Sequence, residues 1–287
     1  MCNYQIITDS GCDLPNEVLE KLDLKMVSLT LLYRGQSLAD SVSGNIKEFY
    51  DSMRQGETAS TSAVNPEAWA NEMQSALSQG LDVLVIAFSS GLSTTYQSAV
   101  IAANDLKEKY PDRKILVIDS KCASLGQGLL CHYAAKKRDE GLSIDELAAW
   151  LEEHKLNLCH WFTVDDLVYL KRGGRISAAT ALVGTILNIK PVLHVDDEGH
   201  LISVSKARGR KASIQAMIDR MEELAIPGEN EFIMICHGDC FEDAQKLGEM
   251  AKQKLGVKEV FIGYTGAVIG SHSGPGTLAL FFLGKNR

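Results

Sequence analysis

The stretch Leu81-Asp82-Val83-Leu84-Val85-Ile86-Ala87-Phe88-Ser89-Ser90-Gly91-Leu92-Ser93-Thr94-Thr95-Tyr96 decides the fold class. Its first half is a short, nearly continuous apolar run, which suits a strand buried on both faces of a parallel sheet. Its second half breaks into hydroxyl residues around one glycine. It then leads into a helix expected over 95–110. The same pattern precedes it at 4–7, before Thr8-Asp9-Ser10, and follows it at 114–118, before Asp119-Ser120. The helices between carry clear punctuation. Asn65-Pro66-Glu67 supplies an N-cap, a proline at the first helical position and an acid in the first turn. Trp69, Met73, Ala76 and Leu77 then share one face, and Gly80 closes the helix. Ser143-Ile144-Asp145-Glu146 is a capping box before Leu147, Trp150 and Leu151, and Gly141 closes the preceding helix. Strands alternating with such helices imply βαβ units.

The second half reads differently. Runs at 191–195 and 200–205 form a hairpin through Glu198-Gly199. Strands follow at 231–236 and 258–263, separated by a helix over 242–255, and a last strand at 277–283. The fold class is therefore α/β in two domains. An N-terminal parallel-sheet βαβ domain spans 1–157, and a C-terminal mixed α/β domain with a hairpin spans 158–287. The boundary falls near 155–160.

The 287 residues are 45% apolar and 23% charged, a soluble globular composition. Twenty-nine Lys and Arg against 37 Asp and Glu leave a net charge of −8. A phosphate-backbone binder shows a basic excess, so nucleic acid is not expected. Lys206-Ala207-Arg208-Gly209-Arg210-Lys211 is the only dense basic stretch. No run approaches about 18 apolar residues, so no membrane insertion is expected. The start lacks a basic segment and a cleavable apolar run. The seven cysteines are therefore expected as free thiols in a reducing cytoplasm.

Ligands of open parallel sheets sit outside the carboxyl ends of the strands. Here those ends carry Ser10, Ser89, Ser90, Ser93 and Ser120, with the loop Ser60-Thr61-Ser62 expected beside them. Hydroxyls are neutral donors and acceptors, suited to a small polar or anionic head group. Ser93 and Thr94 lie where helix-start N–H groups favour an anion, although capping that helix accounts for them equally well. Gly263, Gly266, Gly270, Gly274 and Gly276 surround Ser271-His272-Ser273, a loop able to approach a ligand closely. His272 there reads as either structural or functional. Arg175, after Lys171-Arg172-Gly173-Gly174, either reaches an anion with its planar fork or lies exposed beyond a helix stop. An apolar helix is expected over 178–187.

Several chemistries are set aside. Gly270-Ser271-His272-Ser273-Gly274 puts His at the centre of a nucleophile-elbow spacing. A P-loop and a complete dinucleotide fingerprint are absent. Cys236-His237-Gly238-Asp239-Cys240 lacks a second ligand pair with zinc spacing. No paired carboxylates stand out. Neither a cofactor nor a metal is expected.

Taken together, Thr8-Asp9-Ser10-Gly11-Cys12-Asp13-Leu14-Pro15, Ser90-Gly91-Leu92-Ser93-Thr94-Thr95-Tyr96-Gln97-Ser98-Ala99 and Asp119-Ser120-Lys121 resemble the DegV family. So do Leu167-x-Tyr169-Leu170-Lys171-Arg172-Gly173-Gly174-Arg175-Ile176, Lys190-Pro191, Arg208-Gly209, His237-Gly238-Asp239 and Gly270-x-His272-x-Gly274-Pro275-Gly276. The matches run in family order from residue 8 to residue 276. The resemblance implies a bacterial cytosolic protein that buries one long-chain fatty acid in or between two α/β domains. Some members of the family present that acid to a separate ATP-using kinase subunit, which makes an acyl phosphate. The family's carboxylate-binding hydroxyls fall on Thr61 and Ser93, with Ser62 and Thr94 beside them. Its Arg and His fall on Arg175 and on His272, next to Ser271. This chain departs from the pattern at Thr94, where the family has Gly, and at Ala63-Val64-Asn65, where it often has Gln-Pro-Ser.

The borrowed reading suits the residues. A buried carboxylate needs several donors or a proton. Burying about fifteen methylenes at ~0.8 kcal/mol each gives roughly 12 kcal/mol of gross driving force, reduced by lost ligand freedom. Two rival readings stand beside it. One is a hydrolase or acyl transferase using a Ser with His272. The other is a carrier of a different apolar ligand.

Overall fold

The computed structural model describes residues 3–40, 45–177 and 188–287. The helix expected over 178–187 lies outside them. Four parallel strands form the first sheet: β1 (Tyr4–Asp9), β2 (Leu24–Val27), β6 (Asp82–Ala87) and β7 (Ile115–Asp119), in the order β2-β1-β6-β7. Ile6 pairs with Leu84, and Leu84 with Leu116. Helix α4 (Thr95–Lys109) makes the crossover from β6 to β7. Helix α3 (Pro66–Leu77) starts as its sequence dictates: the Asn65 side chain accepts from the Ala68 N–H at 2.8 Å. The capping box of Ser143 and Glu146 opens α6 (Ile144–His154).

Strand alternation sends the two faces of this sheet to different partners. Ile7, Val83, Val85 and Ala87 pack on Trp69 and Met73 of α3 and on Ala99, Ala102 and Ala103 of α4. Ile6, Leu84 and Ile86 pack on Leu129 and Leu130 of α5 (Leu125–Asp139). Each buried Val, Leu, Ile or Met among them contributes about 1.5–3 kcal/mol.

The far side of α5 lies on a second, mixed sheet, where Phe162, Leu193, Met234 and Phe281 continue the same core. That sheet comprises β8 (Leu158–Thr163), β9 (Ile189–Val195), β10 (Leu201–Arg208), β11 (Phe232–His237), β12 (Glu259–Tyr264) and β13 (Leu278–Leu283), in the order β10-β9-β8-β13-β11-β12. Only β11 and β12 pair in parallel. Helices α8 (Arg210–Leu224) and α9 (Phe241–Leu255) cover its other face, with Met217 and Leu247 against Trp161, Ile235 and Leu280. One helix thus joins two sheets back to back, with residues of both halves in a shared core. No helix among the described residues is long and apolar enough to cross a membrane.

A third sheet departs from the sequence reading. β3 (Thr30–Tyr33), β4 (Gln36–Ala39) and β5 (Ser60–Ser62) pair antiparallel in the order β4-β3-β5. Ser60-Thr61-Ser62 is an edge strand here and not a loop. The β3–β4 turn has positive φ at both Arg34 and Gly35, the two-residue turn that matches strand twist. The segment read as a glycine loop is likewise largely helical: α10 (Ala267–Ser273) packs on α2 (Ile46–Arg54), and the Tyr50 hydroxyl donates to Thr265 O at 2.7 Å. Gly270 serves close packing within this helix and not a turn: a Cβ there would overlap the Tyr50 hydroxyl.

The hairpin tip closes against the first half. Ser89 Oγ donates to Gly199 O at 3.0 Å, and Lys121 Nζ to Glu198 O at 3.3 Å. A Cβ at Gly91 would sit 2.7 Å from Glu198 O, so this approach requires glycine there.

Candidate functional site

A cavity of about 470 Å³ lies where α10, the start of α5, the loop after β6 and the second sheet meet. That volume is in the range of ligand pockets. Phe88, Phe162, Leu170, Leu201, Val268 and Phe281 supply apolar wall, and Thr61, Ser93, Thr94, Arg175 and His272 also line it.

Thr61 is the inward residue of β5. Its neighbours Ser60 and Ser62 are exposed, as alternation requires. Ser62, expected in the site, therefore points away. The Thr61 Oγ1 lies 2.8 Å from Nε2 of His272, in the last turn of α10. Ser271, also expected in the site, does not reach the cavity wall, and its Oγ donates to Val268 O at 2.7 Å. Ser273 is a site residue that sequence reasoning misses. It lines the cavity, is buried, and its Oγ has no hydrogen-bond partner among the described residues. The helical spacing of Ile269, His272 and Ser273 identifies the face; it stays hidden while the segment is read as a loop.

Ser93 both caps and faces the cavity. Its Oγ accepts from the Thr95 N–H at 3.2 Å and lies 2.9 Å from Thr95 Oγ1. The backbone bond uses an acceptor lone pair and leaves the hydroxyl proton for another partner. The loop carrying Ser93 is held by Arg175, whose Nε and Nη2 donate to Leu92 O at 3.1 and 2.9 Å. Arg175 is thus not exposed, and among the described residues it pairs with no acid. Its remaining guanidinium nitrogen, Nη1, donates to Gly173 O at 2.5 Å. Helix α7 (Val168–Arg172) ends at Gly173-Gly174, the latter in the left-handed region. A Cβ at Gly173 would overlap His272 Nδ1, so the ring seats against this glycine.

Burial, reinforced by the Arg175 charge, pushes the His272 imidazole down to about 4. It is neutral at pH 7, with one N–H to give. Between about pH 4 and 6.5 the unfolded chain binds this proton and the folded chain does not. Stability therefore falls as pH drops through that window. The contribution at pH 5 is about 2 kcal/mol. His272→Gln is expected to lose less stability than the parent between pH 7 and pH 5, read from urea midpoints at both pH values. Equal losses would show that His272 does not titrate this way.

The other polar groups on the cavity wall are engaged within the protein. Ser124 Oγ donates to Asp13 and approaches Cys236 Sγ at 3.3 Å. Thr265 Oγ1 donates to the same sulfur at 3.1 Å, and Thr277 Oγ1 to Gly274 O at 2.7 Å. His160 lies 2.8 Å from Leu158 O through Nδ1 and accepts the Ala123 N–H through Nε2. Burial holds its pKa well below the usual imidazole range.

Behind this wall three carboxyl groups meet that the sequence does not show as a group. Asp9, Asp13 and Asp40 are all buried. Asp9 accepts from the Phe88 and Gly11 N–H groups, and burial pushes it up to about 7. Asp40 accepts from Ser10 Oγ and from the Val268 N–H, tying the end of β1 to α10. Burial and the charge of Asp40 push Asp13 up as well. They anchor the elements that carry the site and do not line it. Among the described residues no group of three or more His, Cys, Asp or Glu is arranged to hold a metal ion.

On the outer side of the Thr61–His272 pair lies a second, open cleft of about 760 Å³. It shares Thr61, Arg175 and His272 with the cavity, and Ser271 borders it.

This architecture recurs in known proteins. A DegV domain-containing protein of Clostridium perfringens is 44% identical over 289 residues, covering 100% of this chain and 99% of its own. A DegV lipid binding protein of Thermotoga maritima superposes with a TM-score of 0.88 at 29% identity, covering 100% of both chains. A DegV family protein of Thermus thermophilus, described by its fatty acid binding, gives 0.87 at 31% identity, covering 98% of this chain and 99% of its own. The model of the DegV family of uncharacterised proteins matches residues 3–285. On similarity of this extent, from one end of the fold to the other, the chain belongs to the DegV family.

Proposed function

We propose that this chain binds one long-chain fatty acid, tail in the cavity and carboxylate at Thr61 and Ser93, and offers that carboxylate to a separate kinase. The observation that carries the reading is the cavity. Its wall is apolar, or made of polar groups already bonded, except at the end lined by Thr61, Ser93, Thr94, Ser273, Arg175 and His272. With His272 as the Nε2–H tautomer, its proton goes to Thr61 Oγ1, and the Thr61 hydroxyl donates onward to the carboxylate. Such a chain of donors polarises along its length. The fatty acid binding of the Thermus thermophilus relative supports the choice of ligand.

At the kinase, a carboxylate oxygen attacks the terminal phosphorus of a nucleoside triphosphate. A new O–P bond forms as the diphosphate leaves. The cleft outside Thr61 and His272 gives that approach.

The hydrolase reading has one observation in its favour, the hydroxyl–imidazole contact of Thr61 and His272. Two observations count against it. Among the described residues no carboxylate bonds His272 Nδ1, and an imidazole held near 4 is a weak base at neutral pH.

Native mass spectrometry of the purified protein, followed by organic extraction, tests the proposal. One adduct with the mass of a long-chain acid is expected, recovered as free acid. A protein at its bare mass after incubation with a panel of long-chain acids would overturn it.

A further inference from the structure

Helix α10 carries His272, and its start is capped from a distance. The first N–H groups of a helix have no partner inside it, and the side chain just before the helix normally accepts one. That residue here is Gly266, which has no side chain to offer. The Val268 N–H donates instead to Oδ1 of Asp40 at 3.1 Å, across 228 residues of chain. Aspartate is a preferred acceptor at this end of a helix.

Asp40 is itself held on two other sides. Its Oδ2 accepts from Ser10 Oγ at 2.8 Å, and its own N–H donates to Leu29 O at 2.9 Å. It directly follows β4, in the sheet whose β5 carries Thr61. One buried side chain therefore joins the sheet that bears Thr61 to the helix that bears His272. Those two residues make the 2.8 Å contact at the polar end of the cavity. Asp40 does not line the cavity. The other seats of α10 are steric: Tyr50 lies against Gly270, and Gly173 against the His272 ring. Steric contacts limit approach, whereas a hydrogen bond is directional and fixes where the helix sits along its axis. Val268 and His272 stand four residues apart, on one face of the helix, and both line the cavity. A slip at the cap is thus passed on to the imidazole.

We propose that Asp40 is a positioning residue: by capping α10 it holds His272 Nε2 at hydrogen-bond distance from Thr61 Oγ1, and so sets the affinity of the cavity for a carboxylate head. This rests on the fatty-acid reading above.

The test is a double-mutant cycle on hexadecanoate binding, with dissociation constants from exchange against a fluorescent acid. Asp40→Ala is expected to bind hexadecanoate about tenfold more weakly than the parent, the scale of one hydrogen bond to a charged group lost or misaligned. Asp40→Asn keeps an acceptor for the Val268 N–H and should stay within about threefold of the parent. Introduced into a Thr61→Val chain, Asp40→Ala should change the affinity by less than about twofold, because its route to the ligand is already cut. Ser10→Ala loosens Asp40 without touching α10, and gives a milder form of the same cycle should Asp40→Ala not fold. It should weaken binding about threefold, again only while Thr61 is present. Hexadecan-1-ol, whose neutral head makes weaker hydrogen bonds, should lose less affinity than hexadecanoate in Asp40→Ala.

Equal losses from Asp40→Ala with and without Thr61 would make Asp40 a purely structural residue and overturn the proposal. So would parent-like affinity in a folded Asp40→Ala chain, or a loss in Asp40→Asn as large as in Asp40→Ala. A parent chain that takes hexadecanoate while Asp40→Ala fails these tests keeps the fatty-acid reading. A parent chain that refuses hexadecanoate removes both.

Discussion

A chain carrying both Thr61→Val and Ser93→Ala is expected to hold a long-chain acid about 100- to 1,000-fold more weakly than the parent. Each hydrogen bond to a charged group contributes about 1.5–3 kcal/mol, and each 1.4 kcal/mol is about tenfold. The two hydroxyls serve one carboxylate, so their losses need not add in full. Each change also costs the fold something. Thr61→Val preserves shape on an edge strand but leaves the His272 Nε2 without its partner, about 1–3 kcal/mol. Ser93→Ala removes the acceptor for the Thr95 N–H, a cap worth about 1 kcal/mol. Ser62→Ala is the control, because that side chain faces away from the cavity. Dissociation constants from exchange against a fluorescent acid give the answer. Parent-like affinity in the double variant would take the carboxylate away from this end of the cavity.

The second large effect is thermal. Hexadecanoate at about 100 times its dissociation constant stabilises the folded chain by roughly 2.7 kcal/mol. For a protein of this size that corresponds to a rise in Tm of about 5–10 °C. The cavity wall is drawn from β5, the loop after β6, α10 and the second sheet. The ligand therefore braces both halves, and the whole transition should move together. The same concentration added to the Thr61→Val, Ser93→Ala chain should move it little. Equal rises in the two chains would point to lipid bound elsewhere.

Much of the fold is legible in the sequence, for identifiable reasons. The Asn65 cap, the Ser143 capping box and the 191–205 hairpin rest on local chemistry, and local chemistry decided them. The parallel strands announced themselves because burial on both faces leaves a plain apolar run. Thr61, Ser93, Arg175 and His272 line one cavity, but their hydrogen-bond duties could not be read. Arg175 bonds carbonyls, and His272 bonds a threonine. Ser62 and Ser271 went astray for one reason. Adjacent residues of a strand or helix point in different directions, and the segment type had to be known first. The Asp9, Asp13 and Asp40 group was invisible because three-dimensional closure alone assembles it. The short strands of the third sheet carry too few residues to show a period.

Cys236 has a use beyond its place in the wall. Burial above all, and then the charge of Asp13, push its thiol up to about 12. The Thr265 hydroxyl donates to its sulfur, and the Ser124 hydroxyl lies 3.3 Å from it. At neutral pH it is not a thiolate and is inert to alkylating reagents. To react it must meet solvent, which requires the cavity to open. The pace of its labelling, followed peptide by peptide, is therefore a clock built into the molecule. It would time how often the cavity breathes, and how far an added long-chain acid stills that breathing.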